Sequence, residues 1–242
     1  MKIGIIGSGE LGSFLASKFS KLGHSVAIAN SRGPASLKHL AKNFRLEAAT
    51  VEDVVRDKDV IIISIIERNV QDLPVNIFRQ LPRHTVVIDT MNYYPNLRGG
   101  AIPALDEHGI DSAWVQERLG VPITKAFNAT LATSLKDKGV PDGNGERIAI
   151  PVSCDSEQSK KVVQQLITEL GFEAYDIGGI NQSWKQQPGS PIYGRDITAS
   201  EMQQRLNAME ADGFGLSDVV AKRKADELLM ATDYPAYLES LT

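Results

Sequence analysis

The sequence predicts an α/β protein, a doubly wound parallel sheet with a smaller carboxyl-terminal domain or extension. Short apolar runs alternate with helix-spaced stripes from the first residues onward, the order that builds a parallel sheet with helices on both faces. Residues 59–66, DVIIISII, are apolar almost without alternation, as in a parallel strand buried on both sides. The first strand passes into the first helix through a turn rich in glycine, at Gly7, Gly9 and Gly12. With 242 residues, 42% of them hydrophobic and 23% charged, the chain is long and apolar enough to bury a sizeable core.

Residues 2–6 read as the first strand, and Leu11, Leu15, Phe19 and Leu22 then recur at helical spacing until Gly23 stops the helix. Residues 24–30 form the second strand, 35–44 a helix, 45–49 a weaker third strand and 59–66 the fourth. Residues 70–81 return across the sheet as a helix from about Leu73, and 84–92 are the fifth strand. Residues 93–109, rich in proline and glycine, read as an excursion, followed by a helix at 112–119 and a strand within 121–128. A further strand at 146–154 leads to a helix for which Asp155 and Gln158 suit a capping box and Val162, Val163, Leu166 and Leu170 form the stripe. Residues 172–178 close that unit, and the tail carries SWKQQPGSPIYG (183–194) and two helical runs, 199–209 and 217–230. The expected division is a nucleotide-binding domain at 1–145 and a smaller α/β and helical region at 146–242.

Gly7 to Gly12, GSGELG, fits the pattern G-x-G-x-x-G, and its position between a strand and a helix is the context that gives the pattern a mechanism. Gly7 permits the tight turn, Gly9 lets the backbone approach a pyrophosphate, and Gly12 allows close packing of helix on strand, the Rossmann fingerprint. Ser8, Glu10 and Leu11 complete the turn, whose free N–H groups face the phosphates. At the end of the second strand, where an NAD site places a carboxylate for the ribose, this chain has Asn30, Ser31 and Arg32. Asn30 removes the repelling charge, Ser31 offers a hydroxyl and Arg32 a fork of donors matched to phosphate, so the expected cofactor is NADP(H).

The remaining site residues are those at the carboxyl ends of the strands. Ser64 and Ile65 follow the fourth strand and are expected against the cofactor, Asn92 follows the fifth, and Lys125 and Asn128 lie at the sixth. Lys125, Asn92 and Asn128 are the catalytic candidates, with Lys125 either stabilising an anionic acceptor or capping a structural network. So few ionisable groups suit hydride transfer between two bound cofactors, where alignment of two rings contributes more than a protein acid or base. No tyrosine has a lysine four residues on, which disfavours the short-chain dehydrogenases. His24, His39, His84 and His108 all fall away from strand carboxyl ends, and no metal-spaced cluster occurs.

A formal charge of -4 and a pI near 5.6 argue against nucleic acid as a partner. The single cysteine, Cys154, gives no disulfide framework, and the amino-terminal apolar run is too short for a signal peptide or a membrane span. A cytoplasmic location is the resulting expectation.

Together, IGIIGSGELG, ANSRGP, IDTMNYYP, KAFN and SWKQQPGSPIYG resemble the NADP-dependent oxidoreductases of the coenzyme F-420 (deazaflavin) dependent NADP reductase type, in a bacterial branch. The resemblance implies a Rossmann domain with a small carboxyl-terminal domain, a homodimer, and direct hydride exchange between NADPH and a deazaflavin or flavin. It places the pyrophosphate on Gly7 to Gly12 and the 2'-phosphate on Ser31 and Arg32. The archaeal members end soon after the segment matching 172–178, so the tail beyond is this chain's own addition. There Trp184 or Tyr193 is expected to cover the acceptor ring, or the stretch to form a subunit contact or a clasp across the domain junction. Two other readings stay open: an imine or carbonyl reductase related to the pyrroline-carboxylate reductases, and a non-catalytic NADP-sensing protein.

Overall fold

A computed structural model describes residues 1–140 and 145–241. The chain runs β1 (Lys2–Ile6), α1 (Glu10–Lys21), β2 (Ser25–Ala29), α2 (Lys38–Phe44), β3 (Glu47–Ala48), α3 (Val51–Val54), β4 (Val60–Ile63), α4 (Val75–Arg79) and β5 (Val86–Asp89). It continues through α5 (Pro103–His108), α6 (Asp111–Leu119), β6 (Ile123–Lys125), α7 (Ala132–Asp137), β7 (Ala149–Ser153), α8 (Glu157–Glu169) and β8 (Glu173–Gly178). The tail adds α9 (Ala199–Ala211), α10 (Leu216–Thr232) and α11 (Tyr234–Ser240).

All eight strands belong to one sheet, in the order β3-β2-β1-β4-β5-β6-β7-β8. The first six strands have the Rossmann order 3-2-1-4-5-6 and pair in parallel. β7 then joins β6 antiparallel, through Lys125 opposite Ser153, and β8 pairs parallel to β7. The sheet therefore runs through the expected domain boundary near residue 145.

β4 shows why the unbroken apolar run was needed. Val60 and Ile62 pack into the cluster on one face with Leu15, Phe19 and Val163, while Ile61 and Ile63 pack into the other with Phe78, Trp114 and Leu119. All four β4 side chains are fully buried. A third cluster joins Ile192, Ile197, Met202, Leu206 and Met209 against Ala149, with Trp184 packed on it, and so seats α9 on the β7–β8 end of the sheet.

Several boundaries differ from the sequence reading. The crossover helix expected from about Leu73 is a 3-10 helix at Glu67–Asp72 followed by α4, because Pro74 offers no N–H and holds Leu73 extended. The excursion at 93–109 contains α5, which starts on Pro103 and stops at Gly109 in the left-handed region. Asp155 does not cap α8: Ser156 does, accepting from the Ser159 N–H at 3.2 Å, while Asp155 accepts from the Ile180 N–H at 3.0 Å. The expected third strand shrinks to Glu47–Ala48, since Arg45, at φ 54°, is still closing α2. No helix among the described residues is long and apolar enough to cross a membrane.

Candidate dinucleotide and acceptor cavity

The carboxyl ends of β1, β2, β4, β5 and β6 open on one cavity of about 1200 Å³. It lies across the point where strand order reverses, between β1 and β4, where doubly wound sheets bind ligands. Gly7, Ser8, Gly9, Glu10, Leu11, Asn30, Ser31, Arg32, Ser64 and Ile65 all line it.

The three glycines of the turn divide into two kinds. Gly7 has φ +117°, and a Cβ there would stand 1.9 Å from the Ser64 carbonyl oxygen. A Cβ on Gly12 would stand 2.2 Å from the Gly7 carbonyl oxygen, so this position enforces the contact of α1 with the turn. Gly9 is different: its φ of -70° suits any residue, and a Cβ would meet nothing within 4 Å. Packing explains the first two glycines, and the open space over Gly9 fits a pyrophosphate approaching the start of α1.

Asn30 organises the end of β2. Its Nδ2 donates to Ser8 Oγ at 2.9 Å and to Ser36 Oγ at 3.0 Å, and its Oδ1 accepts from the Arg32 N–H at 2.9 Å. The amide thus ties the glycine turn to the 31–36 turn without placing a negative charge at the end of β2. Gly33, at φ 79°, turns the chain toward Pro34. Arg32 is left exposed at the rim without an ion pair among the described residues.

The middle wall carries no ionisable side chain: Ser64, Ile65, Thr90, Met91, Asn92, Phe127 and Asn128 line it. Asn92 and Asn128 clasp each other, Asn92 Nδ2 donating to the Asn128 carbonyl and Asn128 Nδ2 to Asn92 Oδ1, both at 3.0 Å. Gln186, fully buried, completes the clasp by donating to Asn128 Oδ1 at 3.0 Å while its carbonyl accepts from Asn128 Nδ2 at 2.8 Å. Gln186 also accepts from Ser153 Oγ and donates to the carbonyls of Lys125 and Pro151, so the tail locks the ends of β6 and β7. Phe127 presents this corner with φ 64°, a left-handed conformation that costs about 1–2 kcal/mol for a non-glycine residue.

Lys125 is corrected by the structure. Its ammonium does not reach the cavity: it is fully buried, 3.1 Å from Asp89 Oδ2 and 2.6 Å from the Met91 carbonyl. Asp89 in turn accepts from Ser112 Oγ at 2.6 Å and from the Met91 N–H at 2.7 Å. Glu67, Asp111 and Arg223 are buried in the same region, with Arg223 3.8 Å from Asp111 and 4.7 Å from the Tyr93 ring centre. Burial raises the Glu67 carboxyl well above its usual range and the Asp111 carboxyl to about 6. For Lys125, burial opposes the charge, but Asp89, Glu67 and Asp111 outweigh it and its pKa rises, so the ammonium stays charged. Lys125 therefore caps the turn after β5, the second of the two roles open to it.

The far end of the cavity is lined by Arg98, Tyr193, Gly194, Tyr234 and Leu238. Of the two aromatic candidates in the tail, Tyr193 lies on the cavity, while Trp184 packs on the third cluster with Lys185 over its ring. Arg98, Gln186, Tyr234 and Leu238 were not singled out by sequence reasoning. Arg98 follows a strand end by several residues, and the others have no periodicity that points to a cavity on another element. The four histidines and Cys154 lie elsewhere: His24 meets Glu169 at 2.7 Å, and Cys154 is buried beside Thr124. Among the described residues no group of three or more His, Cys, Asp or Glu is placed to hold a metal ion.

A family model described as NADP oxidoreductase, coenzyme F420-dependent, matches residues 2–93. The Escherichia coli (strain K12) protein YjhV is 35% identical over 63 residues, which are 26% of this chain and 46% of that protein, so the match spans less than half of that relative. Among solved structures, the hypothetical protein SMa0349 from Sinorhizobium meliloti is 28% identical, with a TM-score of 0.65 over 82% of this chain and 95% of that one. A candidate F420-dependent NADP reductase from Arthrobacter sp. FB24 shares the fold at 18% identity, with a TM-score of 0.62 over 88% of this chain and 95% of that one.

Proposed function

We propose that this chain, whose residues 2–93 match the model of an NADP oxidoreductase family, is an NADP-dependent oxidoreductase that exchanges a hydride between NADPH and a deazaflavin, flavin or other small redox acceptor in the same cavity. The observation that carries this reading is the middle wall, where Ser64 to Asn128 offer apolar surface and neutral hydrogen-bonding groups between a phosphate-fitted end and an aromatic end. NADPH, when bound, supplies the hydride. The protein's part is to hold the phosphates at Gly7 to Gly12, to fix the 2'-phosphate with Ser31 and Arg32, and to orient the reacting rings against the Asn92–Asn128 clasp. At about 1200 Å³ the cavity is larger than the ~300–1,000 Å³ of pockets for drug-sized ligands, as a dinucleotide requires.

Imine or carbonyl reduction remains a second reading because Tyr193 places a phenol on the cavity, and that chemistry needs a proton donor. Anaerobic NADPH oxidation separates the two. With 5-deazariboflavin and NADPH deuterated at C4, the leading reading expects transfer of deuterium to the deazaflavin, retained in Tyr193→Phe. Turnover of a cyclic imine alone, lost in Tyr193→Phe, would establish the second reading instead. The family resemblance further suggests a homodimer, which light scattering would measure.

A further inference from the structure

Resting on that reading of the cavity, we infer that the part of it lined by Arg98, Tyr193, Tyr234 and Leu238 is a subsite for a flat acceptor bearing a negatively charged group, with Arg98 as the anion ligand and the other three as the ring's wall. Arg32 lies three residues beyond β2, whereas Arg98 lies nine residues beyond β5, in a loop whose Gly99 carbonyl accepts from Arg68 after β4. Both arginines line the one cavity, one assigned to the dinucleotide and one left over.

Arg98 is exposed, lines the cavity and has no ion pair or side-chain hydrogen bond among the described residues. Its guanidinium lies 5.4 Å from the Tyr94 ring centre, which orients it without neutralising it. The Tyr94 hydroxyl donates to Tyr193 at 2.9 Å, and burial raises the phenols of Tyr94, Tyr193 and Tyr237, so no phenolate competes for the arginine at neutral pH.

The loop carrying Arg98 is fixed to the tail. Glu227, buried on α10, accepts from the Asn96 N–H and from Asn96 Nδ2, both at 2.9 Å. Arg195 holds the end of α11 by donating to the carbonyls of Ser240 and Leu241. That clamp leaves Tyr234 at 54% and Leu238 at 37% exposure on the cavity, large apolar surface a bound ring would cover. Arg98, Tyr193, Tyr234 and Leu238 all lie outside the matched residues 2–93, so the subsite is built by the rest of the chain.

Equilibrium binding to the intact protein saturated with NADP+ tests this, using two pairs that differ only in a phosphate: FMN with riboflavin, and 5-deaza-FMN with 5-deazariboflavin. Fluorescence anisotropy should show the phosphorylated member of each pair bound about tenfold more tightly. Arg98→Ala should abolish that preference, Arg98→Lys retain part of it and Arg98→Glu reverse it. Tyr234→Ala and Leu238→Ala should weaken both members of a pair alike, by about three- to tenfold. NADPH affinity should be unchanged in all five variants. Equal affinity for phosphorylated and neutral members, or a preference that survives Arg98→Ala, would overturn the subsite while leaving the hydride-exchange reading intact. Binding and oxidation of NADPH with none of the four probes bound or reduced would overturn the flavin-type acceptor itself, and the subsite with it.

Discussion

Two layers of side chains meet at the carboxyl ends of β4, β5 and β6, and they are chemically opposite. The middle of the cavity wall, at Ser64, Ile65, Thr90, Met91, Asn92, Phe127 and Asn128, has only neutral groups. Directly behind it Glu67, Asp89, Asp111, Lys125 and Arg223 are all buried. Along this wall the ionisable side chains thus lie behind the neutral ones, away from the cavity. The difference teaches that a strand end is a place of two faces, and that a charged residue there serves the turn it supports unless its side chain points outward. The buried layer costs desolvation and returns fixed geometry: Lys125 and Asp89 hold the Met91 turn from which Asn92 is presented.

Removing a member of the buried layer should therefore hurt stability first. Lys125→Ala leaves three buried carboxyls facing only Arg223, and breaking such a pair typically costs about 3–5 kcal/mol. Urea titration should show a loss of that order. Unchanged stability with abolished NADPH oxidation would place Lys125 in the outer layer after all.

The outer layer should behave the other way. Gly9→Ala meets no protein atom and needs no special φ, so its stability should be close to that of the native chain while NADPH affinity falls about a hundredfold or more, because the methyl group occupies the pyrophosphate's approach. Gly12→Ala, 2.2 Å from a carbonyl oxygen, should instead destabilise the fold. Calorimetry paired with thermal melts distinguishes them, and equal NADPH affinity in Gly9→Ala would remove the turn as the phosphate cradle.

A smaller and more selective effect is expected at the rim. Charge-assisted bonds to phosphate contribute about 1.5–3 kcal/mol, so Arg32→Ala should weaken NADPH binding roughly ten- to a hundredfold and leave NADH binding alone. An equal loss for both nucleotides would mean that Arg32 supports the 31–36 turn rather than the 2'-phosphate.

The smallest effect is a pH dependence of the inner layer. Asp111 has its carboxyl raised to about 6 by burial, with Asp89 adding to the rise and Lys125 and Arg223 opposing it. A carboxyl raised in the folded state favours folding while protonated; that contribution is full below about pH 4 and is lost as pH rises through about 6. Asp111→Asn keeps the neutral form at every pH. Its stability relative to the native chain should therefore improve by about 1 kcal/mol between pH 5 and 7. A difference independent of pH would show that Asp111 stays ionised within the network.

Much of the fold was legible in local pattern. The run at 59–66 announced a strand buried on both faces, and GSGELG followed by Asn30, Ser31 and Arg32 located one end of the cavity, because turn geometry and strand ends are properties of a few adjacent residues. The sequence by itself determined that nucleotide end, together with the alternation that builds the sheet. Only the tertiary structure decided which way Lys125 points, that Gln186 from the tail locks Asn128, and that Arg98, Tyr193 and Tyr234 share one cavity. Contacts of this kind join residues from 34 to more than 130 positions apart along the chain, as Lys125 with Met91 and Asn96 with Glu227 show, and no local period encodes them. Orientation of a side chain at a strand end depends on what packs behind it: for Lys125 that is Asp89 and the Met91 turn, for Asn128 it is Gln186 of the tail.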